Sequence, residues 1–214
     1  LKIADGCNNR CAYCTIPRLR GGLRSRRLSS VVAEAGSLLA SGVRELILIA
    51  QDTAAFGDDH PERKEDLPRL LQELEKLPGR FWVRLLYAHP ASLLRDQRRF
   101  EQLLACFSSS RRLLPYLDLP LQHITDRMLQ RMGRKTSRAE IEYLLDRLEN
   151  EIPELTLRTT FMVGHPGETE ADYAALRDLV ASGRFARMGV FTYSPEAGTD
   201  SARQSDPVPP AVAE

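Results

Sequence analysis

The feature that most constrains this chain is a repeated alternation of short apolar segments with amphipathic helical ones. Residues 43–50 read Val-Arg-Glu-Leu-Ile-Leu-Ile-Ala, the near-continuous apolar run expected of a parallel strand buried on both faces. Residues 1–4, 81–87, 116–121, 155–163 and 187–193 read as further strands. Helical segments fill the intervals. Ser29 or Ser30 can cap a helix over 31–40, with Gly42 just past its end. Residues 66–77 put Leu67, Leu70, Leu71 and Leu74 on one face, and 97–107, 125–132, 137–151 and 170–181 complete the series. Such alternation implies an α/β fold with a parallel sheet and right-handed crossovers.

A doubly wound sheet and a barrel both satisfy that rhythm. The polar residues favour a partial (βα)6 TIM-like barrel. Cys7, Gln51-Asp52, His89, Gln122-His123, Gly164-His165 and Ser194 each follow one of the six strands. Parallel strands bring those ends to one rim, where barrel active sites are built. With 214 residues the chain is sized for one domain. The barrel is expected over 1–200. Residues 201–214 contain Asp206-Pro207-Val208-Pro209-Pro210 and read as a linker towards a further C-terminal domain.

The charges nearly cancel, 30 Lys+Arg against 29 Asp+Glu, so there is no overall basic field for nucleic acid. No apolar run reaches the ~18 residues of a membrane span, and Lys2 and Asp5 break up the first apolar residues. No membrane association is expected, and the expected location is cytoplasmic.

Three of the four cysteines cluster as Cys7-x3-Cys11-x2-Cys14, while Cys106 stands alone on a helix as a small core residue. Clustered cysteines without a secretory signal read as metal ligands or redox residues. Structural zinc is usually held by paired ligand motifs, and three thiols without a near fourth fit it poorly, although a remote His would complete it. A four-iron cubane fits better, because three thiolates leave one iron open to bind a substrate or cofactor.

The spacing C-x3-C-x-aromatic-C, with Tyr13 at the aromatic place, resembles the signature of the radical S-adenosylmethionine (SAM) superfamily. Further segments resemble its methylthiotransferases: Cys14-Thr15-Ile16-Pro17-Arg18-Leu19-Arg20-Gly21, Ile49-Ala50-Gln51-Asp52-Thr53, Leu119-Pro120-Leu121-Gln122-His123 and residues 161–169. Gln51-Asp52-Thr53, Gln122-His123 and residues 189–195 look like the branch that modifies an aspartate of a small-subunit ribosomal protein (uS12 type). The sister branch acts on adenosine in transfer RNA.

The resemblance implies a [4Fe-4S] cluster on Cys7, Cys11 and Cys14, SAM on the open iron, and reductive cleavage of SAM to methionine and a 5′-deoxyadenosyl radical. It also implies a second cluster on an N-terminal domain that this chain lacks. A ribosomal protein substrate, an electron donor such as flavodoxin and a monomeric state are the expected partners and assembly. Among candidate SAM contacts, Arg158 and Thr160 share one strand face, and an inward Arg158 would meet the methionine carboxylate; an outward, solvated Arg158 is the alternative. Gln51 is a candidate for the amino group, Gln122 for the ribose and Tyr193 for adenine, although Tyr193 also reads as a core residue. Tyr13 belongs to the same set. Glu168 reads either as a site residue or as a helix-start carboxylate. His89, His123 and His165 read as substrate-orienting or structural. The run Arg18, Arg20, Arg24, Arg26 and Arg27 borders the cysteine loop as a substrate contact or a solvated loop.

Overall fold

The computed structural model describes residues 1–60 and 65–213. In chain order the elements are β1 (Ala4–Asp5), α1 (Ile16–Arg20), β2 (Arg24–Ser25), α2 (Leu28–Ala40), β3 (Glu45–Leu48), α3 (Leu67–Glu75), β4 (Trp82–Leu85) and α4 (Pro90–Leu94). Then follow α5 (Gln97–Ser109), β5 (Leu113–Asp118), α6 (Asp126–Arg131), α7 (Arg138–Glu151), β6 (Thr156–Val163), α8 (Glu170–Ala181), β7 (Arg187–Thr192) and α9 (Pro210–Ala213).

Strands β3 to β7 form one parallel sheet in which spatial order equals chain order. That order decides between the two candidate architectures. A doubly wound sheet reverses direction and puts helices on both faces. Four right-handed steps in one direction put every crossover on the same face. The result is an open, partial TIM-like barrel. Its sixth position is filled by the N-terminal segment, joined by a parallel bridge from Lys2 to Ile49 rather than by a full ladder. Ile3 N donates to Ile49 O at 3.0 Å and Ile49 N to Leu1 O at 3.1 Å. Residues 4–5 then turn away to pair antiparallel with β2.

Strand pleating separates two faces. Leu46, Leu48, Val83, Leu85, Leu117, Leu157 and Phe161 face the helices and are buried, and Leu70, Leu74, Leu103, Leu104, Leu144 and Leu148 from α3, α5 and α7 belong to the same core. The opposite, inner face carries Glu45, Ile47, Trp82, Arg84, Tyr116, Arg158 and Thr160 in register. The expectation that residues 43–50 are buried on both faces is therefore corrected: Ile47 and Ile49 are more than a third exposed, because the wall of an open barrel keeps its inner face accessible. Ile47 and Ile49 were apolar for a wall that no second layer covers.

Two local expectations also change. Helix α2 begins at Leu28, not after a serine cap. Its N-cap is Arg27, which gives no side-chain cap, and Glu65 Oε2 accepts from Leu28 N at 3.1 Å instead. The boundary drawn at residue 200 falls inside packed structure: Ser201 is fully buried, and its N–H donates to Ala12 O at 2.8 Å. Helix α7 carries a capping box of Ser137 and Glu140, and α8 one of Thr169 and Asp172, which fixes both starts. Among the described residues no helix is long and apolar enough to cross a membrane.

Candidate active site

The cysteine loop leaves the N-terminal segment at the C-terminal rim of the barrel. Gly6 opens it at φ +72°, and a Cβ there would lie 2.1 Å from Gly22 O, so the sharp exit and the close approach both need glycine. All three thiols are free and half-buried. Backbone amides reach two of them: Asn9 N to Cys7 Sγ and Ile16 N to Cys14 Sγ, each at 3.4 Å. Burial pushes the Cys7 and Cys14 thiols up, so as free thiols they hold their protons.

Asp52, just past β3, ties this loop to its neighbours. The carboxylate is buried and accepts from Asn9 Nδ2 at 2.9 Å, Ser92 Oγ at 2.6 Å and His89 N at 3.2 Å. Burial raises its pKa, and the three donors oppose that rise. One side chain thus fastens the cysteine loop, the β3 rim and the first turn of α4. His89 is the N-cap of α4: its Nδ1 accepts from Ala91 N at 3.2 Å and its Nε2 lies 3.9 Å from Cys11 Sγ. Burial first, then nearby cations, lower its pKa to about 2, so the ring is neutral. A cleft of about 480 Å³ opens beside Cys7 and is lined by Asn9, Asp52, Ala91 and Lys135.

On the far side of the loop stands a residue that the sequence reading missed, Arg134. It follows α6 and is buried; its Nη1 lies 3.8 Å from Cys11 Sγ and 3.4 Å from Tyr13 OH, and its Nη2 donates to Pro120 O. Gly133 makes this approach possible. It sits at φ +66°, a Cβ on it would lie 2.7 Å from Arg10 O, and next to it Ala12 N donates to Met132 O at 2.8 Å. The only local signal was Met132-Gly133-Arg134-Lys135, a glycine closing a helix before two cations. Burial raises the Tyr13 phenol, with Arg134 working against it. The aromatic place of the motif is therefore a lid over a buried cation.

The other candidates lie along the inner rim. Gln51 has the parity of the inner face, and its Oε1 is buried without a hydrogen-bond partner. Gln122 adopts φ +72°, donates from N to Thr160 O at 2.8 Å and accepts at O from Met162 N at 2.9 Å, so its backbone extends the β5–β6 pairing. Arg158 and Thr160 do share the inner face, which excludes the outward alternative. Arg158 is not, however, waiting for an anion: its Nη1 donates to Asp118 Oδ2 at 2.9 Å. Tyr193 N donates to Val163 O at 2.8 Å, and its ring packs edge-on against His165 with centroids 5.1 Å apart.

Two histidines and one glutamate take partners within the fold. His123 is fully buried and its Nε2 lies 3.0 Å from Glu168 Oε1. Glu168 also accepts from Gly164 N, and it precedes the Thr169 cap of α8, so it braces a loop rather than starting a helix. His165 Nε2 lies 2.7 Å from Ser201 Oγ. Cys106 is buried in α5, its thiol 3.7 Å from Pro68 O. In the arginine run, Arg26 pairs with Glu34 at 2.5 Å and Arg18 donates to Ala197 O at 3.1 Å.

Among the described residues no group of three His, Cys, Asp or Glu side chains converges on one metal-sized point. A multi-iron cluster takes one thiolate per iron. The donor set of three thiols, each flanked by hydrogen-bond donors, fits the cluster.

The radical SAM superfamily profile matches residues 1–180. This chain belongs to the radical SAM superfamily. Its curated relatives include ribosomal protein uS12 methylthiotransferases from Syntrophobacter fumaroxidans, 49% identical over 214 residues, covering all of this chain and 46% of the relative, and from a Thermoanaerobacter species, 48% identical over 201 residues, covering 94% and 44%. The chain thus spans about half the length of the curated relatives it matches. Solved structures share the fold: the radical SAM methyltransferase TsrM from Kitasatospora setae, with cobalamin and a [4Fe-4S] cluster bound, superposes at TM-score 0.68 with 20% identity, over 90% of this chain and 36% of that one. Coproporphyrinogen III oxidase from Escherichia coli superposes at 0.64 with 16% identity, over 98% and 48%.

Proposed function

We propose that this chain is the catalytic core of a methylthiotransferase that modifies an aspartate of ribosomal protein uS12. The observation that best supports this reading is near-half identity over 94–100% of the chain to enzymes of that name, joined to a cysteine loop whose thiols fit a cluster. Sulfur donation is assigned to the part of the relatives that this chain does not span, because the only further cysteine, Cys106, is locked in the core. The cytoplasm, a flavodoxin-type electron donor and a monomeric state complete the proposal.

Cys7, Cys11 and Cys14 would hold a [4Fe-4S] cluster, which with bound SAM would supply reductive cleavage of the sulfonium carbon–sulfur bond. The protein's own tasks are then legible. The Gly6 exit and the Asp52 knot hold the loop at the rim. Gln51 offers a buried, unsatisfied acceptor suited to the SAM ammonium. Arg158, already paired with Asp118, offers its remaining N–H groups to the carboxylate without leaving a buried charge alone. Gln122, Thr160 and Tyr193 line the rim for ribose and adenine.

Anaerobic reconstitution followed by iron and acid-labile sulfide quantitation tests the core. The chain is expected to bind the cluster and to cleave SAM with a strong reductant, and Cys11→Ala to lose both. Zinc without iron overturns the proposal. The full-length protein, given uS12 and transfer RNA in parallel, is expected to add a methylthio mass to uS12; addition to transfer RNA alone selects the sister branch.

A further inference from the structure

Cys11 differs from the other two thiols in what surrounds it. Cys7 and Cys14 are each met by a backbone amide two residues on. Cys11 Sγ is met by two side chains from distant parts of the chain, His89 Nε2 at 3.9 Å and Arg134 Nη1 at 3.8 Å. The proton on His89 is placed by its own contacts. Nδ1 accepts from the Ala91 amide, so Nδ1 carries the lone pair and Nε2 the hydrogen, which is turned to sulfur. Arg134 is a cation by chemistry and is buried in place by Tyr13 and Pro120. A buried cation needs an anion, yet Arg134 forms no ion pair with a carboxylate among the described residues, and its Nε has no partner. The groups within its reach are a carbonyl, a phenol and the Cys11 thiol. A Cys11 thiolate would complete that site.

We propose that His89 and Arg134 are positioning residues that clamp the Cys11 sulfur and set the cluster's reduction potential. The proposal rests on the reading of Cys7, Cys11 and Cys14 as cluster ligands. The physical argument is direct. Cluster potentials respond to local charge, to hydrogen bonds at sulfur and to burial. A donor and a buried cation aimed at one thiolate stabilise the form carrying the extra electron, and so raise the potential. The clamp also orders the loop, since Arg134 is carried by the segment that Gly133 presses against Arg10–Ala12.

The test is a redox titration, followed by optical and electron paramagnetic resonance spectra, of the anaerobically reconstituted chain. The variants are His89→Phe, His89→Gln, Arg134→Gln and Arg134→Lys, with iron and sulfide measured in each. His89→Phe and Arg134→Gln are expected to keep the cluster but raise its oxidised-to-reduced ratio at fixed ambient potential by up to about tenfold, which is ~59 mV for a one-electron couple. His89→Gln, which keeps a donor, and Arg134→Lys, which keeps the charge, are expected to return towards the parent value. Full cluster content with unchanged potentials in His89→Phe and Arg134→Gln overturns the clamp alone. A parent chain that takes up no iron and sulfide overturns the cluster reading and the clamp together. If Arg134→Gln does not load, His89→Phe against His89→Gln decides: equal potentials overturn the proposal.

Discussion

Asp118 and Arg158 meet across β5 and β6 at 2.9 Å, on the inner face of an open barrel, with the carboxylate buried and the guanidinium partly exposed. Burial raises the Asp118 carboxyl, and Arg158 pulls it back. Asp118 Oδ1 has no partner of its own. The pair is therefore a buried acid that depends on one cation.

Replacing Arg158 with Leu strands that acid. The expected cost is about 1–2 kcal/mol, below the range for a fully buried pair because the cation is partly solvated. Asp118→Asn in the same chain is expected to recover part of it. Urea midpoints of the single and double variants check this; additive losses would mean that the two groups do not stabilise one another.

Gly133→Ala combines a left-handed backbone with a clash against Arg10 O. The expected loss is on the order of 1–3 kcal/mol, together with lower iron content after reconstitution, because the clash displaces the loop holding Cys11. Gly42→Ala is the control. Its φ of +102° is also unfavourable, but nothing lies within 4 Å of the added methyl, so Tm falls while iron content holds.

Asp52→Ala removes an acceptor shared by Asn9, Ser92 and His89. About 2–3 kcal/mol of stability is expected to go, since buried donors lose a charged partner. Proteolysis within the cysteine loop is expected to accelerate more than proteolysis elsewhere. Uniform acceleration would show that Asp52 supports the whole fold rather than this loop.

Acid is expected to weaken the fold through two groups. Burial lowers His165 from the ordinary 6.5 to about 4. The unfolded imidazole therefore takes its proton first, and this contribution is complete above ~6.5 and lost as pH falls towards 4. Asp172 is opposed by burial, but Thr169, Arg127 and Thr125 hold its carboxyl well below the ordinary 3.8. Its contribution is present above that value and is lost at more acid pH. Thermal melts from pH 7.5 to 4.5 are expected to show a falling Tm, less steeply in His165→Asn; parallel curves would remove His165 from the account.

Under the proposed function, Arg18→Ala with Arg20→Ala is expected to weaken binding of uS12 by the full-length protein severalfold while SAM cleavage without substrate persists. Arg20 is exposed, and Arg18 donates to a backbone carbonyl, Ala197 O. Equal loss of binding and of cleavage would place these arginines in the loop's own support.

The sequence by itself determined whatever depends on neighbours along the chain. Hydrophobic period marked the strands and helices, Ser137 with Glu140 fixed the start of α7 through adjacent amides, and the cysteine spacing is a property of eight consecutive residues. Alternation also placed Arg158 and Thr160 on one face. Tertiary structure alone decided which face was inner, and which partner each polar group took. Arg158 found Asp118, Glu168 found His123, and Cys11 found His89 and Arg134, 78 and 123 residues away. Those pairings exist only after the sheet curves and brings its rim loops together. Burial then makes each polar group's choice of partner a matter of several kcal/mol, and nothing in local periodicity encodes that choice.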